Sequence, residues 1–173
     1  DILLICASGT RSLLSGFALK TLGFENVFSV TGGMTAWKAE GLPTVAPQLL
    51  TQEEKKRYSR HLRIPEVQEA GQLKLKGSHV LMIGCGGLGN PASLYLAAAG
   101  VGQLTIVDDD IVDVSNLQRQ VLFSESDIGQ PKVVAGKNAL LRLNSNMNIT
   151  TVQERVTKEN VDQLVSGKTI VID

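Results

Sequence analysis

The apolar run His79 to Ile83 leads directly into the glycines of GCGGLG, Gly84 to Gly89, and these lead into an alanine-rich stretch, Leu88 to Ala99. A second apolar run, Leu104 to Asp108, follows at once. Short apolar runs between turn signals have strand length, whereas the stretch after the glycines is long enough for a helix. Strand, tight turn, helix and strand in that order join two parallel strands through a crossover helix, and so specify an open parallel α/β sheet. The alternation continues with predicted helices over Lys132–Leu143 and Lys158–Leu164 and predicted strands over Ile149–Val152 and Thr169–Asp173. The expected fold class is doubly wound α/β, a Rossmann-like nucleotide-binding domain.

The N-terminal part alternates in the same way. We expect a strand over Ile2–Ile5, a helix from about Arg11 to Leu22 ending at Gly23, a strand near Val27–Val30 and a helix near Met34–Glu40. Leu13, Leu14, Phe17, Ala18 and Leu22 fall on one face of the first helix, the face predicted to be buried. Leu42 to Leu50 carries Pro43 and Pro47 and shows no periodicity. It reads as a semi-extended tether of about 28 Å. Thr51 and Glu54 then fit a capping box opening a helix. The expected organisation is a small domain over residues 1–43, a linker over 44–50 and a second domain over 51–173. Because the chain opens on a strand at Asp1 and ends on the strand TIVID, we expect both domains to be parts of larger ones.

Composition limits the function classes. With 43% hydrophobic and 20% charged residues, the 173-residue chain has the make-up of a soluble globular protein. Lys+Arg and Asp+Glu both number 17, so bulk charge favours neither nucleic acid nor a membrane surface, and any anion site must be local. No apolar run approaches the roughly 20 residues of a membrane span, and no secretion signal is visible. The cysteines, Cys6 and Cys85, have no metal-ligand spacing, which points to a reducing cytoplasm and to no metal site built by this chain.

Gly84, Gly86 and Gly89 complete GxGxxG between a strand and a helix, and Asp108 ends the next strand at about the 20-residue distance at which an acid meets a ribose. That combination suits NAD as well as ATP. The downstream cations favour ATP, because attack on an α-phosphorus develops charge that needs Arg, Lys or Mg²⁺. Arg119 follows in DDDIVDVSNLQRQ. Lys132 follows Pro131, which is predicted at the first helical position; the helix dipole disfavours a cation there, so an anion is expected at the same end. Cys85 reads as a small packed residue rather than a nucleophile. His61 and His79 have no metal-like spacing and read as surface or strand-end residues.

In CASGTRS, Cys6 ends a strand and Arg11 opens a helix. Backbone N–H groups curling round the sulfur, together with the arginine, are expected to lower the thiol pKa and stabilise an anionic sulfur adduct.

Two resemblances rest on these motifs. YSRHL, IGCGGLG, LTIVDDDIVDVSNLQRQ and GQPK resemble, in order and spacing, the ThiF/MoeB/HesA family of ubiquitin-activating-enzyme-like adenylyltransferases, in particular its molybdopterin-synthase adenylyltransferase branch, over about Arg57 to Asp173. The resemblance implies ATP- and Mg²⁺-dependent adenylation of the C-terminal carboxylate of a ubiquitin-like sulfur-carrier protein. It implies nucleotide contacts from Gly84, Gly86, Gly87 and Gly89, with Asp108 on the ribose. Asp110, Asn116, Arg119 and Lys132 would surround the phosphates, with Ser115, Leu117 and Gln118 also contributing to the nucleotide site. It further implies a homodimer in which Arg60 reaches the γ-phosphate in the other subunit. The family continues past the strand matching TIVID into an Asp-Asn pair that serves the metal, and then into a half that often carries CxxC ligands for a structural Zn²⁺.

CxSGxRS and GGMTAWKAEGLP resemble the C-terminal half of a rhodanese-like sulfurtransferase domain, over about Asp1 to Pro43. There the cysteine matching Cys6 carries a persulfide cradled by the loop ending at Arg11. A related phosphatase group uses a loop one residue longer, so sulfur transfer is favoured over phosphoester hydrolysis. Together the resemblances imply adenylation served by Arg119 and Lys132, then sulfur transfer served by Cys6 and Arg11, yielding a thiocarboxylate. A sulfur donor such as a cysteine desulfurase is implied, with molybdopterin, thiazole, cysteine and transfer-RNA sulfur chemistry all open as destinations. The alternatives are an NAD-dependent oxidoreductase and a non-catalytic nucleotide-sensing module.

Overall fold

His79–Ile83 forms a strand whose neighbours on both sides run parallel to it, and the whole second part of the chain is arranged around it. The computed structural model describes residues 1–44 and 49–173. It divides the chain into two units, Asp1–Pro47 and Gln48–Asp173. The expected tether over 44–50 lies outside the described residues from 45 to 48.

In the first unit, β1 (Ile2–Leu4) pairs in parallel with β2 (Val27–Ser29), and α1 (Thr10–Thr21) connects them. α2 (Gly33–Ala39) follows. The expected buried face of α1 is a point of correction. Leu13, Leu14, Phe17 and Leu22 are exposed, at 52%, 64%, 62% and 75%. The only buried residue of the helix is Ser12. A two-stranded sheet contacts only a narrow strip of a helix, so the rest of the apolar stripe has no neighbour among the described residues.

The second unit opens with α3 (Gln52–Arg57), whose N-terminus carries the expected capping box: Glu54 N–H donates to Thr51 Oγ1 at 3.2 Å and Thr51 N–H to Glu54 Oε2 at 2.7 Å. Glu54 also pairs with Lys76 at 2.7 Å. A helix not anticipated from periodicity, α4 (Gln68–Gly77), comes next. Then follow β3 (His79–Ile83), α5 (Gly89–Ala99), β4 (Gln103–Val107), α6 (Lys132–Leu143), β5 (Asn148–Val152), α7 (Val161–Val165) and β6 (Ile170–Ile172). The expected helix from Lys158 is thus reduced to α7, because Asn160 Oδ1 accepts the Thr157 N–H at 2.8 Å and holds the preceding residues in a turn.

All pairs in the four-stranded sheet are parallel, in the order β5-β4-β3-β6. The chain moves to one side of β3 with β4 and β5 and returns to the other side with β6. Where the strand order reverses, the loops after adjacent strands diverge and leave a crevice at the carboxyl ends. Pairing sets Val80 opposite Leu104 and Met82 opposite Ile106, so one face of the sheet presents four apolar side chains in register. They join Ala97 of α5 and Val133, Ala135 and Leu140 of α6 in one core. Each such side chain contributes about 1.5–3 kcal/mol by leaving water, which holds the helix starts rigidly above the crevice.

Leu104 is fully buried at the centre of this core. Leu104→Ala is expected to destabilise the protein by about 2–5 kcal/mol through lost transfer energy and the cavity left behind, read as a lower midpoint in urea denaturation with an unchanged slope.

Candidate functional site

The glycine loop connects β3 to α5, and its tightness is steric in origin. A Cβ at Gly89 would collide with the Gly84 carbonyl, so only glycine lets the helix start so close to the strand end. Asp108, at the end of β4, ties this loop down. Its Oδ2 accepts the Cys85 N–H at 2.6 Å, and its Oδ1 accepts the Asp110 N–H at 2.8 Å. Beside them opens a cavity of about 520 Å³ at the carboxyl ends of the strands. Ile83, Gly84 and Asp108 to Asp110 line one side of it, and Glu154, Arg155, Val156 and Asp173 complete the lining.

Glu154, Arg155 and Asp173 were not singled out from sequence. The available signal was topological: they follow β5 and β6, so they reach the same edge of the parallel sheet as Asp108. Asp108, Asp109 and Asp110 bring carboxylate oxygens within 4.8 Å of one another, an all-oxygen donor set suited to a hard cation.

The expected phosphate-side residues divide into three groups. Arg119 is exposed, with Nη1 on the Ser115 carbonyl at 3.0 Å, and its Nε lies 3.9 Å from where a Cβ on Gly87 would stand. It therefore sits over the glycine loop. Gly86 lies against the Gln120 side chain, and Gln118 is exposed.

Ser115, Asn116 and Leu117 build the loop itself. Asp113 Oδ1 accepts the Ser115 N–H at 2.8 Å, Asn116 Oδ1 accepts the Asp113 N–H at 3.0 Å, and Leu117 packs on the core. The side-chain oxygen of Asn116 and the side chain of Leu117 are thus engaged within the protein.

Lys132 departs from expectation in its surroundings. Pro131 is the N-cap of α6 and Lys132 its first residue. Nζ of Lys132 lies 2.7 Å from Asp110 Oδ2, and the lysine is buried. The anion that compensates a cation at this helix end is therefore the protein's own carboxylate. Arg60 is exposed in the turn after α3 and does not line the cavity. Its flanks are anchored: Tyr58 accepts from Asn144 Nδ2 at 3.1 Å, and His61 Nδ1 pairs with Gln72 Oε1 at 2.9 Å. His79 bonds Thr105 at 2.8 Å, so both histidines are structural.

In the first unit, the loop after β1 folds around Cys6. Its Sγ accepts the N–H of Gly9 at 3.1 Å and of Ser12 at 3.4 Å, and faces the Ser12 hydroxyl at 3.5 Å. Gly33 braces the loop from behind with φ of 58°; a Cβ there would strike the Cys6 and Ala7 carbonyls. The Cys6 thiol pKa is lowered to about 6, first by the Ser12 hydroxyl and then by the Ser12 backbone N–H, with further help from the N–H groups of Gly9 and Ser8. The expected contribution of Arg11 is replaced by that of Ser12. Arg11 is exposed and shares with Cys6 and Ser12 the lining of a cavity of about 290 Å³. Cys85 behaves oppositely: fully buried, its thiol is pushed up to about 12 by burial and by the nearby Asp108 charge.

The comparisons agree with this division. The rhodanese-like domain profile matches residues 1–40. The sulfur carrier protein ThiS adenylyltransferase of Escherichia coli is 47% identical over 117 residues, 68% of this chain and 47% of the relative. The molybdopterin-synthase adenylyltransferase of Salmonella typhimurium is 45% identical over 124 residues, 72% of this chain and 50% of the relative. The chain thus spans about half the length of these curated relatives. Among solved structures, the E. coli tRNA N6-threonylcarbamoyladenosine dehydratase TcdA in complex with ATP matches with a TM-score of 0.68 and 28% identity, covering 73% of this chain and 51% of that one. The ThiF family profile matches residues 58–173, well over half of the chain, and with the parallel sheet and glycine loop above it places this protein in the ThiF family, with a rhodanese-like segment at residues 1–40.

Proposed function

We propose that the protein adenylates the C-terminal carboxylate of a ubiquitin-like sulfur-carrier protein with ATP and then converts it to a thiocarboxylate with sulfur carried on Cys6. The observation that carries this reading is the presence, on one chain, of a ThiF-family nucleotide cleft and a rhodanese-like loop holding a low-pKa thiol. A carboxylate is a poor acyl donor, and adenylation gives it a good leaving group. A persulfide is the nucleophile that can then deliver sulfur.

In the first step a carrier carboxylate oxygen attacks the α-phosphorus, and pyrophosphate leaves with the electron pair of the broken P–O bond. Asp108 orients the ribose, and Gly86, Gly87 and the start of α5 approach the phosphates through backbone N–H groups. Arg119 stands over that loop to meet the charge that develops. Lys132 is held ready by Asp110, and the incoming phosphate takes over from that carboxylate as its anion. Asp108, Asp109 and Asp110 offer oxygen donors that would hold Mg²⁺, which would supply positive charge to the phosphates. Arg60, exposed and outside the lining of its own cavity, is suited to the nucleotide of a second protomer, which makes the working unit a homodimer.

In the second step the terminal sulfur of the Cys6 persulfide attacks the acyl carbonyl and AMP leaves. The resulting acyl disulfide is cleaved by a thiol reductant, which supplies two electrons, releases the thiocarboxylate and returns Cys6 as a thiol. The sulfur would come from a donor of the cysteine desulfurase type. Two free thiols fit a reducing cytoplasm, and no helix among the described residues is long and apolar enough to cross a membrane.

Three outcomes test this reading. Full-length protein should exchange labelled pyrophosphate into ATP only when carrier is present, with Arg119→Ala and Lys132→Ala each reducing exchange by about 10²-fold or more. Absence of exchange with any sulfur carrier would favour a nucleotide sensor. Cys6→Ala should leave exchange intact and abolish thiocarboxylate formation from a persulfide donor; an unchanged yield would remove Cys6 from the reaction. Because a thiolate is the reactive form, alkylation of Cys6 should rise with pH through a midpoint near 6. Ser12→Ala should move that midpoint up, towards the ordinary thiol range, while Cys85 stays unmodified in the folded protein.

A further inference from the structure

We propose that Asn90 and Gln120 are positioning residues for adenylation, a pair of buried amides that fixes Arg119 over the glycine loop. The inference rests on the adenylation reading of the cleft and names residues that the motifs alone did not single out.

Asn90 stands in the first turn of α5 and is completely buried. Its main-chain N–H donates to the Gly86 carbonyl at 3.0 Å, which places it directly behind the loop. Its side-chain Oδ1 accepts the Leu122 N–H at 2.8 Å. One residue thus joins the glycine loop, through its main chain, to the segment that follows Arg119, through its side chain. Gln120 packs its side chain against the glycine loop from the other side. It is 2% exposed, its main-chain N–H closes on the Asn116 carbonyl at 2.9 Å, and its Nε2 lies 4.0 Å from where a Cβ on Gly86 would stand.

Arg119 lies between these anchors and is itself exposed; its guanidinium is held to the protein only through the Ser115 carbonyl among the described residues. Its placement beside Gly87 therefore depends on the backbone on either side of it, which the Asn90 side chain holds by a hydrogen bond and the Gln120 side chain by packing against the loop.

The polarity of the pair supports a role beyond packing. Asn90 Nδ2 and Gln120 Oε1 have no protein partner although both are buried. A free donor and a free acceptor in an interior cost stability, and leucine or methionine would fill similar volumes without that cost. Local rules are broken in this way where a site demands it. Here the demand is geometric, since a misplacement of about 1 Å at a charge-stabilising group can cost 10²-fold in rate.

The test is a double-substitution cycle on carrier-dependent pyrophosphate exchange in full-length protein. Asn90→Leu should lower kcat by about tenfold, with the KM for carrier unchanged; in the Arg119→Ala background it should change kcat by less than about twofold, because the group it positions is gone. Gln120→Met should behave in the same way, and serves where Asn90→Leu fails to fold, as judged by its melting temperature. Equal factors in both backgrounds, or no loss for either variant, would overturn the inference. Failure of both variants to fold would assign the pair to stability alone and overturn it equally. Wild-type protein separates the two levels: no wild-type exchange removes the adenylation reading itself, whereas wild-type exchange with equal factors removes only the positioning role.

Discussion

The carboxylate of Asp108 is the joint on which the nucleotide cleft depends. It accepts one N–H from the glycine loop and one from its own acidic loop, and both bonds are short, as expected when the acceptor carries a full charge. Asp110, positioned by the second bond, holds Lys132 by its side chain and accepts the Lys132 N–H with its carbonyl at 3.0 Å. The ends of β3 and β4 and the start of α6 are therefore one hydrogen-bonded unit. Removing the Asp108 carboxylate would leave the Cys85 and Asp110 N–H groups without the acceptor that joins the two loops.

This arrangement also sorts charge along the cleft. Asp108, Asp109, Asp110, Glu154 and Asp173 line the cavity, with Arg155 as the one cation in its lining. A triphosphate placed in the body of that cavity without a cation would meet five carboxylates. The favourable direction for phosphates is towards Gly86, Gly87 and the start of α5, where backbone N–H groups, the helix dipole and Arg119 supply positive potential. The acidic end then suits ribose hydroxyls, which donate to carboxylates. The net charge of the chain is zero, so the electrostatic character of the cleft comes from this local separation rather than from bulk charge.

Elements with a strong apolar pattern were legible in the sequence to the residue. β3 over His79–Ile83 and α6 over Lys132–Leu143 occupy the expected ranges, because an apolar run before glycines and an amphipathic stretch after proline are both strong signals. α4 was not legible because its one buried residue is Gln72, whose amide serves His61 and the Ala99 carbonyl, so there is no apolar stripe to detect. The face of α1 illustrates the reverse case. Periodicity identifies Leu13, Leu14 and Phe17 as sharing a side, but it cannot say whether anything lies against that side. In the cleft, the motifs located Arg119 and Asp108 on one edge of the sheet. They could not show that Asp110 and Lys132 pair with each other, since that contact is created by the fold and leaves no local pattern.

The two cysteines show how far side-chain direction, rather than motif, sets chemistry. Both lie in connections from a strand to a helix, Cys6 between β1 and α1 and Cys85 between β3 and α5. Cys6 turns its sulfur into the N–H groups and hydroxyl of its own loop, and these stabilise the thiolate. Cys85 turns its sulfur inward against Gly136, where burial and the charge of Asp108 favour the thiol. The first thiol is shifted towards its ionised form and the second away from it. A sulfur transfer step needs a nucleophile that accepts sulfur, holds it as an anionic adduct and gives it up to an acyl carbonyl. Only the Cys6 loop combines access with donors for a second anionic sulfur. In the glycine loop the thiol held neutral adds no charge of its own, so Asp108 and Lys132 set the local field there.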